Sequence, residues 1–296
     1  MRAQAPGKLV LSGAYAVLEG TRAIVVAVDR YVVADSERSA EFVTPEVREA
    51  LPSGDAPWFD ASGLRVDGRK LGLGSSAAIL VASLGALELA AQPKLEESEL
   101  RARVFPRALA AHRRAQRGGS GVDVASSTYG GTLVVKPVGE TLELTPVELP
   151  SDLKFWALAS GVPASTPELI RHVHALRAAN PGQYETLMQA QALASERAAD
   201  ALANRDARTL LDALAEQGAA LAALGAAAGV PIVTPELLGL QHIAQRAGAA
   251  VLPAGAGGGD VSWWVSRDAP PPTQPGLEPL ALGFRAKGLC ACPANP

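Results

Sequence analysis

The sequence predicts a chain of mixed helices and strands, long enough for one large or two medium domains, and three observations carry that reading. The chain has 296 residues, against roughly 100–200 for an ordinary domain. Its first 35 residues join short apolar, β-branched runs through turn residues, which is strand patterning. Its second half holds long Ala- and Leu-rich stretches with charges to one side, which is helix patterning.

Composition narrows the function. A hydrophobic fraction of 48% is ample for a core. A net charge of −3, with no block of like charge, excludes a nucleic-acid binder working by bulk electrostatics, so an anionic ligand must be met by local donors. The two cysteines, Cys290 and Cys292, stand too close together to staple a fold, which fits a reducing compartment. The start MRAQAPGKLVLSG has no apolar core with a small-residue cleavage site, and no run of about 18 apolar residues free of Gly, Pro and charge follows. The expectation is a soluble cytoplasmic protein with no membrane or nucleic-acid partner.

Taken in order, Leu9–Leu11 after the Pro6–Gly7 turn, Ala23–Val28 and Tyr31–Ala34 are expected strands, the last two interrupted by Asp29 and Arg30. Ser12–Gly20 is a helical turn or a loop. Lys8 is a single cation directly before an apolar strand, a place where most lysines are simply solvated. Residues 36–69 mix charges with Pro and Gly and read as two weak strands and a mobile loop. Next comes KLGLGSSAA, Lys70–Ala78, opening into the apolar run Ile79–Ala90. A glycine-flanked turn entering a helix is the layout of an anion site, because the first helical N–H groups lack intrahelical acceptors and the dipole adds positive charge there. Ser75 and Ser76 could cap that helix, bind phosphate oxygens or reach a metal. An ordinary serine-capped core helix has the same residues. It is not a Walker A loop, since no Lys follows the second Gly.

Lys94–Ala115 is a second helix, with Arg107, Arg113 and Arg114 in its later half and Arg117 beyond. These are either a solvated basic face or, in part, ligands for an anionic substrate. The segment GGSGVDVASSTYGG, 118–131, is expected as a loop from which Asp123 projects, either to cap a helix or to assist a hydroxyl beside a cation such as Lys8. Thr132–Lys136 and Phe155–Ser160 are strands. In GVPASTPELIRHV, Thr166 as N-cap with Pro167 following is a helix start. Tyr184–Ala203, Arg208–Ala227 and Thr234–Ala247 are packing helices. His172, His174 and His242 lack metal-type spacing. After Ala249–Leu252, PAGAGGGDVSWWVS places four glycines in five positions, read as a tight turn or a close approach to a ligand rather than packing, with Asp260 opening the strand Val261–Ser266. Ala269–Pro279 is a Pro-rich surface loop and Leu280–Arg285 a last strand.

APGKLVLSGAYAVLEG, KLGLGSSAA and AGAGGGDV stand in the order and approximate spacing of the three motifs of the GHMP kinases, which the chain resembles over nearly its whole length. AHRRAQ with GSGVDVASSTYGG and SGVPASTPELI look most like the phosphomevalonate kinase branch, with mevalonate kinase next. The resemblance implies a two-domain α+β fold, with a ribosomal-protein-like βαβ domain at 1–150 and a ferredoxin-like domain at 151–296. It implies ATP and Mg²⁺. Carried over by motif, Lys8 and Asp123 are the catalytic pair. Lys70, Gly72, Leu73, Gly74, Ser75, Ser76 and Ala77 are the ATP contacts, with Ser76 also on the metal. Tyr15, Arg113, Arg114, Arg117, Ser120, Gly121, Ser165, Thr166, Gly257, Gly258 and Asp260 are the acceptor contacts. The implied reaction converts phosphomevalonate to its diphosphate in isoprenoid synthesis, on a monomer or homodimer. Mevalonate kinase or another small-molecule kinase of the family is the alternative, and a decarboxylase of the superfamily or an inactive binding protein lies further off. Three departures stand out. Ala14 replaces the usual Glu of the first motif, and Gly68 the usual Pro of the second. His112, a poor magnesium ligand, falls eleven residues before Asp123, where mevalonate kinases carry a metal-binding Glu.

Overall fold

The computed structural model describes residues 1–52, 54–66 and 68–292. Its contacts divide the chain into two compact units, one of residues 1–9, 25–146 and the described residues from Leu282, the other of residues 10–24 and 147–281. The sequence expectation of domains 1–150 and 151–296 cuts the chain once; the contacts group it differently.

In the first unit, β1 (Arg2–Ser12, of which residues 2–9 belong here), β2 (Ala23–Ser39), β6 (Thr132–Val138), β7 (Thr141–Val147) and β12 (Cys290–Ala291) form a sheet in the order β12-β1-β2-β6-β7, and β3 (Pro57–Asp60) joins the edge of β2. Apart from the short antiparallel ribbon of β4 (Arg65–Val66) and β5 (Arg69–Lys70), the rest is helical: α1 (Pro45–Ala50), α2 (Ser75–Ala91), α3 (Glu97–Gln116) and α4 (Val122–Tyr129). Helix α2 is buried on nearly every side between α3, α4 and α1, which its small and aliphatic residues allow. The structure corrects several expectations here. Strand β2 runs unbroken through Asp29 and Arg30, because the Asp29 carboxylate accepts the Gly283 amide at 2.7 Å and needs no break in the ladder. The expected loop within 36–69 contains α1, which starts as its residues dictate, with Pro45 first and the Thr44 hydroxyl accepting the Val47 amide. Asp123 lies in the first turn of a helix, not on a loop. The expected last strand at Leu280–Arg285 is displaced: Phe284 forms an isolated bridge to Val28 and Lys287 one to Gly130, and ladder pairing resumes at β12.

The second unit has an antiparallel sheet in the order β11-β8-β10-β9, from β8 (Lys154–Ser160), β9 (Ala250–Pro253), β10 (Val261–Ser266) and β11 (Leu277–Leu280). Its helices are α5 (Thr166–Ala179), α6 (Pro181–Ala203), α7 (Ala207–Ala228) and α8 (Pro235–Ala247). Asn180, Asp206 and Thr234 each accept a first-turn amide, so these starts are written locally. Helix α5 is the exception, since Ser165, not Thr166, holds the N-cap position and makes no side-chain cap bond; its carbonyl accepts the Glu168 and Leu169 amides instead. Helix α7 is the one described helix long and apolar enough to cross a membrane by length and composition, yet 44% of that window is buried inside the protein, against α6 and β9.

That packing sets a test. A glycine in a helix interior costs about 1 kcal/mol relative to alanine, but a Cβ on Gly218 of α7 would stand 2.4 Å from the Val251 carbonyl oxygen. Backbone overpacking of about 1–3 kcal/mol outweighs the propensity gain. Gly218→Ala should therefore lower the denaturation midpoint, whereas Gly182→Ala in α6, where a Cβ would meet nothing within 4 Å, should hold or raise it.

Candidate active site

The glycine-rich turn before α2 is built for close approach. Gly72 and Gly74 have φ of 66° and 74°, and Gly74 takes the N-cap place of α2 in a left-handed conformation with no side-chain cap. The helix therefore begins with its first amides, at Ser75, Ser76 and Ala77, directed away from the intrahelical ladder and free to face an anion. Two further contacts join β1 to this turn. The Lys8 amide donates to the Leu73 carbonyl at 2.9 Å, and a Cβ on Gly74 would fall 2.9 Å from Lys8 Cε. Glycine at 74 is thus required twice, by its φ and by the lysine stem lying over it.

The lysine head continues to Asp123, with Nζ to Oδ1 at 3.2 Å. Lys8 is 8% exposed and Asp123 29%, so the cation is enclosed while the carboxylate opens to solvent. Gly121, φ 79°, makes the turn into α4, and a Cβ there would strike Leu109. One helical turn beyond Asp123, the buried Ser127 hydroxyl donates to the Pro6 carbonyl at 2.8 Å. Asp123 to Lys8 and Ser127 to Pro6 are two rungs between α4 and β1, and the second holds the first in register. Sequence reasoning missed Ser127, although its spacing of four from Asp123 put both on one helix face.

His112 of α3 is 3% exposed, and its Nδ1 has no partner among the described residues. Burial pushes its pKa down, outweighing the opposing pull of Asp123 and Glu46, with Lys8 and Arg113 adding to the fall; the imidazole is neutral at neutral pH. Glu46, also buried, accepts from Gln116 through one oxygen and leaves the other unpartnered among the described residues. No group of three His, Cys, Asp or Glu residues placed to hold a metal occurs among the described residues.

Several expected contacts are placed differently. The Leu73 side chain lies in the core and its carbonyl is engaged by Lys8, which leaves only its amide. Lys70 is exposed on β5. Arg113 donates to the Glu140 carbonyl, and Arg114 pairs with the Glu49 carboxylate at 3.1 Å and with the Glu49 carbonyl. Arg117, left-handed at φ 53° just past the end of α3, is exposed, and its side chain makes no hydrogen bond or ion pair with a described residue. Ser120 is half-buried in the turn before α4.

In the second unit, Ser165 and Thr166 are exposed at the start of α5. The glycine-rich loop 255–259 corrects the expectation that its glycines are not for packing. A Cβ on Gly257 would lie 2.1 Å from the Ile232 carbonyl oxygen and one on Gly259 2.2 Å from that of Val162, so neighbouring backbone, from chain far apart in sequence, occupies the space. Gly258 donates its amide to Ile232 at 2.9 Å. Asp260, left-handed at φ 54°, donates its amide to Val162 and accepts the Ala164 amide on its carboxylate. Tyr15 is buried, with its hydroxyl bonded to the Ala256 carbonyl at 2.6 Å.

An α+β fold carrying an uncapped, glycine-framed helix N-terminus beside a lysine–aspartate pair is an arrangement suited to meeting an anion. Residues 56–131 match the family described as GHMP kinases N terminal domain. Over 86% of this chain and 87% of its own length, the phosphomevalonate kinase of Streptomyces sp. (strain CL190) is 27% identical. The mevalonate kinase of Archaeoglobus fulgidus is also 27% identical, over 96% of this chain and 99% of its own. The Streptococcus pneumoniae phosphomevalonate kinase, solved in complex with phosphomevalonate and AMPPNP, superposes with a TM-score of 0.73 at 18% identity, covering 96% of this chain and 99% of that one. The family match thus falls on residues 56–131, and the chain has the fold of the GHMP kinases.

The buried imidazole makes stability depend on acid. With its folded pKa held below the ordinary 6.5, His112 takes up a proton more readily in the unfolded chain, so its contribution is complete above that pH and is lost as pH falls through and below it. His112→Gln should lose less stability than the parent on acidification below about pH 6.5, measured by urea midpoints at matched pH. Ser127→Ala, which leaves the buried Pro6 carbonyl without its donor, should cost about 1–3 kcal/mol.

Proposed function

We propose that this chain is an ATP-dependent kinase of the mevalonate route that transfers a phosphoryl group to the 5-phosphate of phosphomevalonate. The observation that carries the reading is the Lys8–Asp123 pair at 3.2 Å, set against the Gly74 turn. Phosphoryl transfer asks mainly for positioning and for stabilisation of charge on the oxygens in flight. The amides of Ser75, Ser76 and Ala77 would hold the nucleotide phosphates, and the left-handed glycines leave room for them. ATP supplies the phosphoryl group and Mg²⁺ neutralises its charge. Ser76 is the proposed protein ligand to that metal; a magnesium ion held chiefly by phosphate oxygens and water fits a site without a carboxylate cluster.

Lys8, enclosed and ion-paired, would steady negative charge on the attacking oxygen. An acceptor phosphate is already anionic at neutral pH, so Asp123 orients Lys8 and the acceptor more than it removes a proton. Arg117 is the arginine proposed to meet the acceptor's phosphate, since Arg113 and Arg114 are occupied elsewhere in the same unit. Ser165, Thr166, Gly257 and Gly258 remain proposed acceptor contacts, as do Ser120 and Gly121. A cytoplasmic location, on a monomer or homodimer, is part of the same reading.

Mevalonate kinase is the second reading, favoured by the near-complete mutual coverage with the archaeal mevalonate kinase. There the acceptor is a hydroxyl and Asp123 would take its proton. ADP release measured over mevalonate, phosphomevalonate and diphosphomevalonate, with CO₂ followed alongside, decides among these, a decarboxylase and an inactive protein. Activity on phosphomevalonate is expected; turnover on mevalonate alone would replace the reading with the second. Asp123→Asn and Lys8→Met should each lower kcat by about 10²-fold or more with ATP affinity retained. Arg117→Ala should raise the acceptor KM by about tenfold or more, and an unchanged KM would remove it from the site.

A further inference from the structure

The backbone of Tyr15 is unusual for a residue other than glycine. Its φ of 64° and ψ of −53° lie where only a tight three-residue turn takes a non-glycine residue, and the bond that closes such a turn is present, from the Ala16 amide to the Ala14 carbonyl at 2.8 Å. A turn of this hand is strained and persists only where its surroundings over-determine it. They do so on both sides. Before the turn, the Gln217 side-chain oxygen accepts from the Ser12 hydroxyl at 2.8 Å and from the Gly13 amide at 3.3 Å, and Gln217 in turn bonds Gln191, all of it buried. At the turn, the Tyr15 ring belongs to the apolar core that includes Leu169, Val173 and Ile232.

The hydroxyl at the end of that ring reaches the glycine-rich loop. The far end of the loop is already fixed by backbone, through Gly258 to Ile232 and Asp260 to Val162. Its near end is anchored at Ala254, whose amide donates to the Val261 carbonyl at 2.9 Å and whose carbonyl accepts the Val10 amide at 3.0 Å. Between these anchors, where a Cβ on Gly255 would meet nothing within 4 Å, the hydrogen bond from Tyr15 to the Ala256 carbonyl ties the loop down.

We propose that Tyr15 is a positioning residue rather than a substrate ligand: its hydroxyl tethers the loop at Ala256, between its two backbone anchors, and the strained turn aims that hydroxyl. The consequence for acceptor binding rests on the function proposed above; the tether itself does not. Burial raises the phenol pKa above its ordinary 10, so the group stays a donor across the working pH range. A donor bonded to a backbone carbonyl inside the fold has no second proton to offer a substrate.

Tyr15→Phe keeps the ring, its packing and the turn, and deletes only the tether. Amide hydrogen exchange on the full chain without ligand should quicken about tenfold or more at Gly255–Gly257, while amides of α6 and α7 exchange as in the parent. In steady-state kinetics, the acceptor KM should rise by about tenfold, with kcat and the ATP KM changed less than about twofold. Unchanged exchange at the loop overturns the proposal. So does faster exchange accompanied by uniform quickening through α6 and α7, which would mean general loosening. Faster local exchange with an unaltered acceptor KM overturns the positioning role. If the parent turns over none of the acceptors, the proposed function fails, and the exchange result still decides the tether.

Discussion

The ion pair between Lys8 and Asp123 is the contact to which the rest of the first unit is fitted. An enclosed ammonium is costly unless a carboxylate meets it with good geometry, and the chain supplies that carboxylate from the first turn of α4. To do so it must bring β1, the turn before α2 and the start of α4 to one place. Gly74 is a glycine so that the lysine stem can lie over the turn, and Gly121 so that α4 can begin against Leu109. Ser127 locks the same helix to the same strand. The pair gains little in net stability from such an arrangement, and its consequence is an enclosed positive charge beside the uncapped N-terminus of α2.

His112 belongs to the same economy of charge. At this place an acid would add a negative group beside Asp123, whereas a buried neutral imidazole adds none. The imidazole leaves Asp123 and Glu46 as the carboxylates acting at this place, facing Lys8 and Arg113, with Glu46 bonded to Gln116.

The second unit solves a different problem, how to hold a glycine-rich loop still without side chains. Its answer is backbone against backbone, with Ile232 and Val162 filling the room that the missing Cβ atoms leave, and one phenol hydroxyl on the stretch between the backbone anchors. Asp260 serves the same clasp through Ala164. The glycines read from the sequence as open space for a ligand are therefore largely filled by the protein itself.

Much was legible in the linear chain because the signals are local. Pro235 after Thr234 marks a helix start by its own residue types, and the GLGSS turn carries positive φ values that glycine takes without strain. The helix at 45–50 was missed although its cap was in plain view, hidden by charged and proline-rich neighbours. What no local pattern holds is distance between remote residues: that Lys8 meets Asp123, that Ser127 reaches Pro6, that Arg114 is taken by Glu49, that Asp29 is satisfied by Gly283. Residue types and their spacing along the chain determined which groups exist and which turns and helices carry them. Only tertiary packing decided which charges are enclosed, which hydroxyls are already bonded and which glycines face backbone, because burial and partnership are properties of space rather than of order along the chain.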